Sequence, residues 1–444
     1  MVWDMHVETV PELCNPTLWR YKGEGNANVI LALRSPHGRF GGVVLRLRKG
    51  GVLMHGEQQT PEMPSFLISY TRDVLVPLFG NQYTGETKLL QVTPEFLQSL
   101  AEAIEPFRPA KRRHAGIDIH QEFALLMPDY TVFTSSAGVT LAVELKPKWG
   151  FLPTSSFIKP ENSVKRLTCR TCMHQHLRRM QGDQTEEIID YCPLDLFSCD
   201  ESRLRKSLPQ LIKLAGNKFK LFIQGEKIDI GQDGWHTRLN EFFQITDDPV
   251  NDSHQSNTLY QALIDLLIKA IANERGLFDR LRYLQKTLDS LDIEGIYMLD
   301  LIQQGQLLEP KLEEWKKTVE LYLQRTQETS HMPAGPLALK DMTLDEQRQL
   351  LYEFLLSTTL KDCSVMFSFR KPDDNSDSTL SGSLFNSDDV KRLEVGNFLD
   401  HVEYRAKLLD LDPKPVTKLP YYFNLDTEIV KCYQKRELPR ECCE

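Results

Sequence analysis

A proline set between two lysines fixes the course of the chain around residue 147. Thr140 to Leu145 is an apolar run that reads as a strand, and it ends in Glu144-Leu145-Lys146-Pro147-Lys148-Trp149-Gly150-Phe151-Leu152-Pro153. The pyrrolidine ring disfavours helix for the residue before it, so this stretch is expected to stay extended. Lys146 and Lys148 then face the same way, which suits a ligand with several phosphates; the alternative is a solvated basic turn. From Lys146 to Arg179 the chain carries Lys146, Lys148, Lys159, Lys165, Arg166, Arg170, Arg178 and Arg179 against Glu161 alone. Such an island is an electrostatic trap for an anion. The whole chain is acidic, with 53 Lys and Arg against 62 Asp and Glu and a formal net charge of −9. Most of the surface should therefore repel what the island attracts. The island has little aromatic interleaving and matches no nucleic-acid module, so a compact polyphosphate is at least as good a partner as nucleic acid.

With 444 residues, 41% of them hydrophobic, the chain can bury a sizeable core and is neither disordered nor collagenous. Its length fits two or three domains, or one two-lobed body. The longest apolar runs, such as Leu263 to Ile268, fall far short of the ~18–20 residues of a membrane span. Met1 to His6 lack a basic segment followed by an apolar one, so no signal peptide is expected.

Trp19 to Lys22 and Val29 to Leu33 flank a Gly-rich turn. In Val43-Val44-Leu45-Arg46-Leu47-Arg48 the apolar residues alternate, as in a half-buried strand, with Arg46 and Arg48 on one face. Thr93-Pro94-Glu95 ahead of Phe96, Leu97, Leu100 and Ile104 reads as the capped start of an amphipathic helix. A second body begins near Phe123 to Tyr130. It includes a long helical region from Leu259 to Leu288, a capping box at Thr343 to Glu346, and strands at Cys363 to Phe369 and Tyr404 to Leu411. Between those strands a Ser/Asp/Asn-rich stretch, Asp373 to Asp389, reads as a mobile loop. The expected class is α+β, with a small lobe at 1–127 built on an antiparallel sheet and a larger α/β lobe at 128–444.

Three further constellations carry chemistry. Gly23-Glu24-Gly25-Asn26-Ala27-Asn28 lies between two strands, where backbone N–H groups can face phosphates and Arg46 can neutralise them. The protein-kinase form has a third glycine where Asn28 stands, and a plain hairpin turn is the alternative. Cys169-Arg170-Thr171-Cys172-Met173-His174-Gln175-His176, followed by Cys192, supplies four soft ligands for tetrahedral zinc. Cys169, Cys172, His176 and Cys192 are the expected set, with free thiols or a redox pair as the alternative. Two acidic strand ends, Lys361-Asp362-Cys363-Ser364 and Asp410-Leu411-Asp412-Pro413-Lys414, can accept a hydroxyl proton and hold Mg²⁺.

These elements, together with Met173-His174-Gln175, Pro193-Leu194-Asp195-Leu196-Phe197-Ser198 and Leu291-Asp292-Ile293-Glu294-Gly295, resemble the inositol-pentakisphosphate 2-kinase family from about residue 19 to about 433. The E-x-K-P-K-x-G element is its most specific mark. The resemblance implies a two-lobed, kinase-like fold and ATP- and Mg²⁺-dependent phosphorylation of the 2-hydroxyl of inositol 1,3,4,5,6-pentakisphosphate. It implies that Gly23, Glu24, Gly25, Asn26, Ala27, Asn28 and Arg46 hold ATP phosphates, with Met127 to Tyr130, Asp129 among them, as the hinge beside adenine and Glu144 on the nucleotide side. Asp362 would be the base, with Lys146 beside it as the other catalytic residue, and Asp410 the Mg²⁺ ligand. Arg112, Lys146, Lys148, His174, Arg178, Asn217, Lys414, Lys418 and Tyr422 would contact inositol phosphates. Lys218 stands where many members have a second Asn, and Lys418 where the residue can be Arg. The Cys/His cluster is similar to that of animal-type members, which implies structural zinc. A monomer in cytoplasm and nucleus, without membrane or nucleic-acid partners, completes the expectation. The rivals are a kinase for lower inositol phosphates and a non-catalytic inositol-phosphate or nucleic-acid binding scaffold.

Overall fold

A computed structural model describes residues 7–8, 10–34, 40–50, 63–133, 138–182, 191–214, 218–245, 252–327, 339, 341–372, 385, 389–396, 399–436 and 438–444. Asn217 and most of the 373–389 stretch lie outside these residues.

The first six strands form one sheet: β1 (Val7–Glu8), β2 (Trp19–Glu24), β3 (Asn28–Leu33), β4 (Val43–Arg48), β5 (Lys88–Gln91) and β6 (Phe123–Pro128), in the order β1-β5-β6-β4-β3-β2. All neighbours are antiparallel except β1 and β5. The alternation in β4 sends Val43, Leu45 and Leu47 into the core and leaves Arg46 and Arg48 half-buried. Helix α1 (Pro94–Ile104) covers that core with Phe96, Leu97, Leu100 and Ile104, and Thr93 Oγ1 accepts the Phe96 N–H at its N-cap.

The next six strands form a second, wholly antiparallel sheet: β7 (Thr140–Leu145), β8 (Phe219–Ile223), β9 (Glu226–Ile228), β10 (Ser364–Arg370), β11 (Lys391–Gly396) and β12 (Leu399–Leu409), in the order β11-β12-β10-β7-β8-β9. One of its faces, including Leu141, Val143, Val365, Phe367 and Leu408, lies in the main hydrophobic core together with apolar residues of the helices between residues 252 and 360. The helices used below are α2 (Arg170–Met180), α3 (Asp252–Asn273), α4 (Arg275–Thr287), α5 (Asp292–Ile296), α6 (Leu344–Leu360) and α7 (Leu419–Tyr433). The molecule is thus mixed α+β. Among the described residues no helix is long and apolar enough to cross a membrane.

The helical region expected from Leu259 to Leu288 is made of two helices that meet at Glu274. That carboxylate is buried and accepts from Tyr83 Oη (2.8 Å), Lys391 Nζ (2.6 Å) and Tyr404 Oη (2.6 Å). Periodicity alone could not show the break, because apolar residues continue on both sides of it. The capping box at Thr343 and Glu346 is present and opens α6.

Candidate active site

Register assembles the site. Leu145 pairs with Val365 and Ser364 with Leu409, so the end of β7, the start of β10 and the end of β12 share one sheet edge. Asp362 lies in the turn between α6 and β10, Asp410 and Asp412 follow β12, and Glu144 is next to last in β7. Side chains of Asp362, Asp410 and Asp412 remain about half exposed.

Each carboxylate meets a cation. Asp362 accepts from Lys148 Nζ (2.8 Å) and Lys414 Nζ (2.9 Å), one on each oxygen. Asp410 accepts from Lys146 Nζ (2.6 Å), which also reaches the Asp362 carbonyl (3.4 Å). Arg46, from the first sheet, forks onto Asp412 and ties the two sheets together at this point. Glu144 accepts from Lys220 Nζ (2.8 Å) and Ser364 Oγ (2.9 Å). Burial alone would raise the pKa of Asp362, but the ammonium groups of Lys148 and Lys414 outweigh it and hold the carboxyl well below its ordinary value. Burial likewise opposes ionisation of Asp410, and Lys146, Lys220 and Arg46 more than offset it.

Lys146 and Lys148 do both face the acidic edge, though not by the extended geometry expected. Lys148 has φ 67°, in the left-handed region, and the Pro147 carbonyl ahead of it accepts from Tyr191 Oη (3.1 Å). His174 on α2 completes the basic wall. Its burial, and then the charges of Arg170, Arg178, Lys218 and Lys148, push its pKa down to about 3. It is therefore a neutral imidazole within the field of these four cations.

The Gly-rich segment is a β2–β3 hairpin with a register shift at Gly23, closed by the Gly25 N–H on the Asn28 carbonyl (2.9 Å). A Cβ on Gly23 or Gly25 would meet nothing within 4 Å. Asn26, at the tip, accepts from Arg112, which brings that arginine to the hairpin. Two residues expected to face the nucleotide have their carboxylates spent inside the protein. Glu24 is buried against Lys49 and Arg108, and Asp129 is buried against Lys22 (2.7 Å) and the Thr131 hydroxyl (2.6 Å). Both carboxylates are therefore engaged by cations within the protein. Met127 lies in β6 opposite Val44, one residue before Pro128 ends the strand. Lys418 and Tyr422 flank the N-terminus of α7; the Lys418 ammonium lies 5.9 Å from the Tyr421 ring, and Tyr422 packs on the main core.

The thiol cluster also departs from expectation. Cys169, Cys172, Cys192 and Cys442 converge, all buried, with their sulfurs within 4.8 Å of one another. The Sγ atoms of Cys169 and Cys192, and of Cys172 and Cys442, are 3.8 Å apart. A zinc tetrathiolate with Zn–S of about 2.3 Å has tetrahedron edges of about 3.8 Å, so these four residues fit that ion. The fourth member of the cluster is Cys442 and not the expected His176, whose ring packs edge-on against Tyr433 of α7 at 5.4 Å.

Asp412, Lys220, Ser364 and Cys442 are the members to which residue patterns gave no role, and Lys218 entered only as a departure from the family pattern. Asp412 was accessible, since it stands two residues after Asp410 in the same acidic strand end. Cys442 was not, because no local spacing links it to the C-x-x-C pair.

A family model described as inositol-pentakisphosphate 2-kinase matches residues 21–428. Among curated proteins, a relative named inositol-pentakisphosphate 2-kinase from Arabidopsis thaliana is 30% identical, over 97% of this chain and 96% of its own length. One of the same name from Danio rerio is 26% identical, over 94% of this chain and 92% of its own.

Proposed function

The chain belongs to the inositol-pentakisphosphate 2-kinase family, and we propose that it transfers the γ-phosphoryl group of ATP to the 2-hydroxyl of inositol 1,3,4,5,6-pentakisphosphate, giving the hexakisphosphate. The observation that carries this is Asp362, a half-exposed carboxylate clasped by Lys148 and Lys414 beside the Lys146–Asp410 pair. A base next to cations that can exchange partners suits proton removal from a hydroxyl surrounded by phosphates.

In this mechanism Lys146, Lys148, Lys414, His174 and Arg178 hold acceptor phosphates, with Asn217, Lys418, Tyr422 and Arg112 contributing contacts. As phosphates draw Lys148 and Lys414 away, the field that depresses the Asp362 pKa weakens and the carboxylate becomes a better base. It accepts the 2-hydroxyl proton while the oxygen forms its bond to the γ-phosphorus and the bond from that phosphorus to the bridging oxygen of ADP breaks. The Gly-rich hairpin and Arg46 orient the nucleotide, so catalysis is by positioning and charge neutralisation. Asp410, with Asp412 beside it, offers hard oxygen donors that fit Mg²⁺, which when bound neutralises charge on the phosphates. Cys169, Cys172, Cys192 and Cys442 would hold a closed structural Zn²⁺ that anchors the C-terminal tail to the start of α2.

By the same proposal residues 1–127 form a nucleotide lobe and 128–444 the acceptor lobe of a kinase-like monomer working in cytoplasm and nucleus. The six strands up to Pro128 lying in one sheet, and the six from Thr140 in another, support that division. Incubation with Mg·ATP and inositol 1,3,4,5,6-pentakisphosphate, resolved by ion-exchange chromatography, should yield hexakisphosphate; no product from folded protein overturns the proposal. Asp362→Asn should lower kcat by about 10²-fold or more with pentakisphosphate affinity kept. Retained turnover would reassign the base.

A further inference from the structure

Lys148 and Asp362 lie on segments far apart in sequence, yet their contact is set to 2.8 Å. Gln285, in the last full turn of α4, joins those segments from beneath. Its side chain is wholly buried. The amide Nε2 donates to the Lys148 carbonyl and to the Leu360 carbonyl, each at 3.0 Å, and Oε1 accepts the Gly150 N–H at 2.8 Å. Both amide hydrogens and the carbonyl oxygen are used, and the partners are the two sides of the reaction centre. One is the loop that carries Lys148, the other the end of α6 two residues before Asp362. The Ser357 hydroxyl donates to the Gln285 main-chain carbonyl (2.7 Å) and fastens α6 to α4 at the same level.

A second clasp lies four residues on. Asp289, just past α4, pairs with Lys361 (2.5 Å), and the Lys361 ammonium lies 4.0 Å from the Trp149 ring centroid. Trp149 follows Lys148 and Lys361 precedes Asp362, so this contact repeats the same junction. The left-handed backbone at Lys148 needs such support, because an unbranched L-residue rarely holds that conformation alone.

We propose that Gln285 is a positioning residue for phosphoryl transfer, holding the Lys148 loop against the Asp362 turn without touching either substrate. This rests on the roles given above to Lys148 and Asp362. Residue identity follows from the hydrogen-bond count. Glutamate offers no two donors for the facing carbonyls, leucine offers none, and asparagine is one methylene too short.

The experiment compares wild type, Gln285→Glu, Gln285→Leu and, as a control that loosens the same helix pair without altering the amide, Ser357→Ala. Steady-state transfer is measured with pentakisphosphate and ATP varied separately between pH 6 and 8, with thermal midpoints alongside. Failure of the wild type to make hexakisphosphate defeats the functional reading and is thereby distinguished from failure of this inference. Both Gln285 variants should lose about tenfold to 10²-fold in kcat, with KM for ATP within about twofold of wild type. Ser357→Ala should keep kcat while lowering the midpoint. A buried carboxyl with a raised pKa can donate one hydrogen bond when protonated, so the kcat of Gln285→Glu relative to wild type should rise as pH falls. If Gln285→Leu does not fold, Gln285→Glu decides. A kcat within about twofold of wild type, a ratio independent of pH, or a loss in Ser357→Ala equal to that of the Gln285 variants overturns the inference.

Discussion

His174 sits where burial and the charges of Arg170, Arg178, Lys218 and Lys148 lower its pKa from 6.5 to about 3. The unfolded chain takes up a proton there below its ordinary pKa, whereas the folded protein does so only near pH 3. Its contribution to stability is complete above about pH 6.5 and is lost as pH falls toward 3. A ligand carrying several phosphates reverses the local field and raises the pKa. Pentakisphosphate binding at about pH 5.5 should therefore take up more protons in wild type than in His174→Gln, by up to about one. Titration calorimetry in buffers of different ionisation enthalpy counts them; equal uptake by the two proteins would remove His174 from the site. The residue types at this edge were legible because phosphoryl transfer needs acids and bases in known roles, and Asp362, Asp410, Lys146, Lys148 and Lys414 do come together. The ion pairs of Glu24 and Asp129 were not legible, because nothing local shows that a carboxylate is engaged by a buried partner such as Arg108 or Lys22.

Elements were legible where one face decides them. β4 and α1 announce themselves by period, whereas the α3–α4 break depends on Tyr83, Lys391 and Tyr404, which reach Glu274 from elsewhere in the chain. The β2–β3 hairpin separates folding from function. Neither Gly23 nor Gly25 needs its missing Cβ for packing, since open space lies beside both. Gly25→Val should thus move the thermal midpoint by no more than about 2 °C and still raise KM for ATP by about tenfold, because the added branches occupy the approach to the loop backbone. An unchanged KM would take the hairpin out of nucleotide binding. The thiol cluster makes a sharper case, because it joins the start of α2 to the tail at Cys442. Metal analysis after gel filtration should find about one zinc per chain in wild type and in His176→Ala, and less than half that in Cys442→Ser. Zinc kept in Cys442→Ser and lost in His176→Ala would restore the histidine as ligand.

The whole molecule corrects the simple count of charges along the sequence. Lys165, in the middle of the basic island, is buried against Asp292, Glu294 and Asp426, and Arg170 pairs with Asp426 as well. Arg166 turns to the carbonyls of Ser155 and Ile158. What faces the acidic edge is a different set, Lys146 and Lys148 from the island with Lys414 and Arg46 from distant segments, each paired with an aspartate. Linear clustering located the wall and overstated its charge, since only the fold decides which cations are neutralised and which remote ones join. An acceptor with five phosphates would engage more of these cations than a nucleotide, against a chain whose net charge of −9 repels anions elsewhere. Its affinity should fall more steeply with added salt than that of ATP, because each exchanged ion pair adds to the screening penalty. Lys414→Met should flatten the slope for pentakisphosphate and leave that for ATP unchanged, as measured by calorimetric titration between about 50 and 300 mM salt. Parallel slopes for the two ligands would mean that the wall does not discriminate by phosphate number, and would return a kinase for lower inositol phosphates as the better assignment.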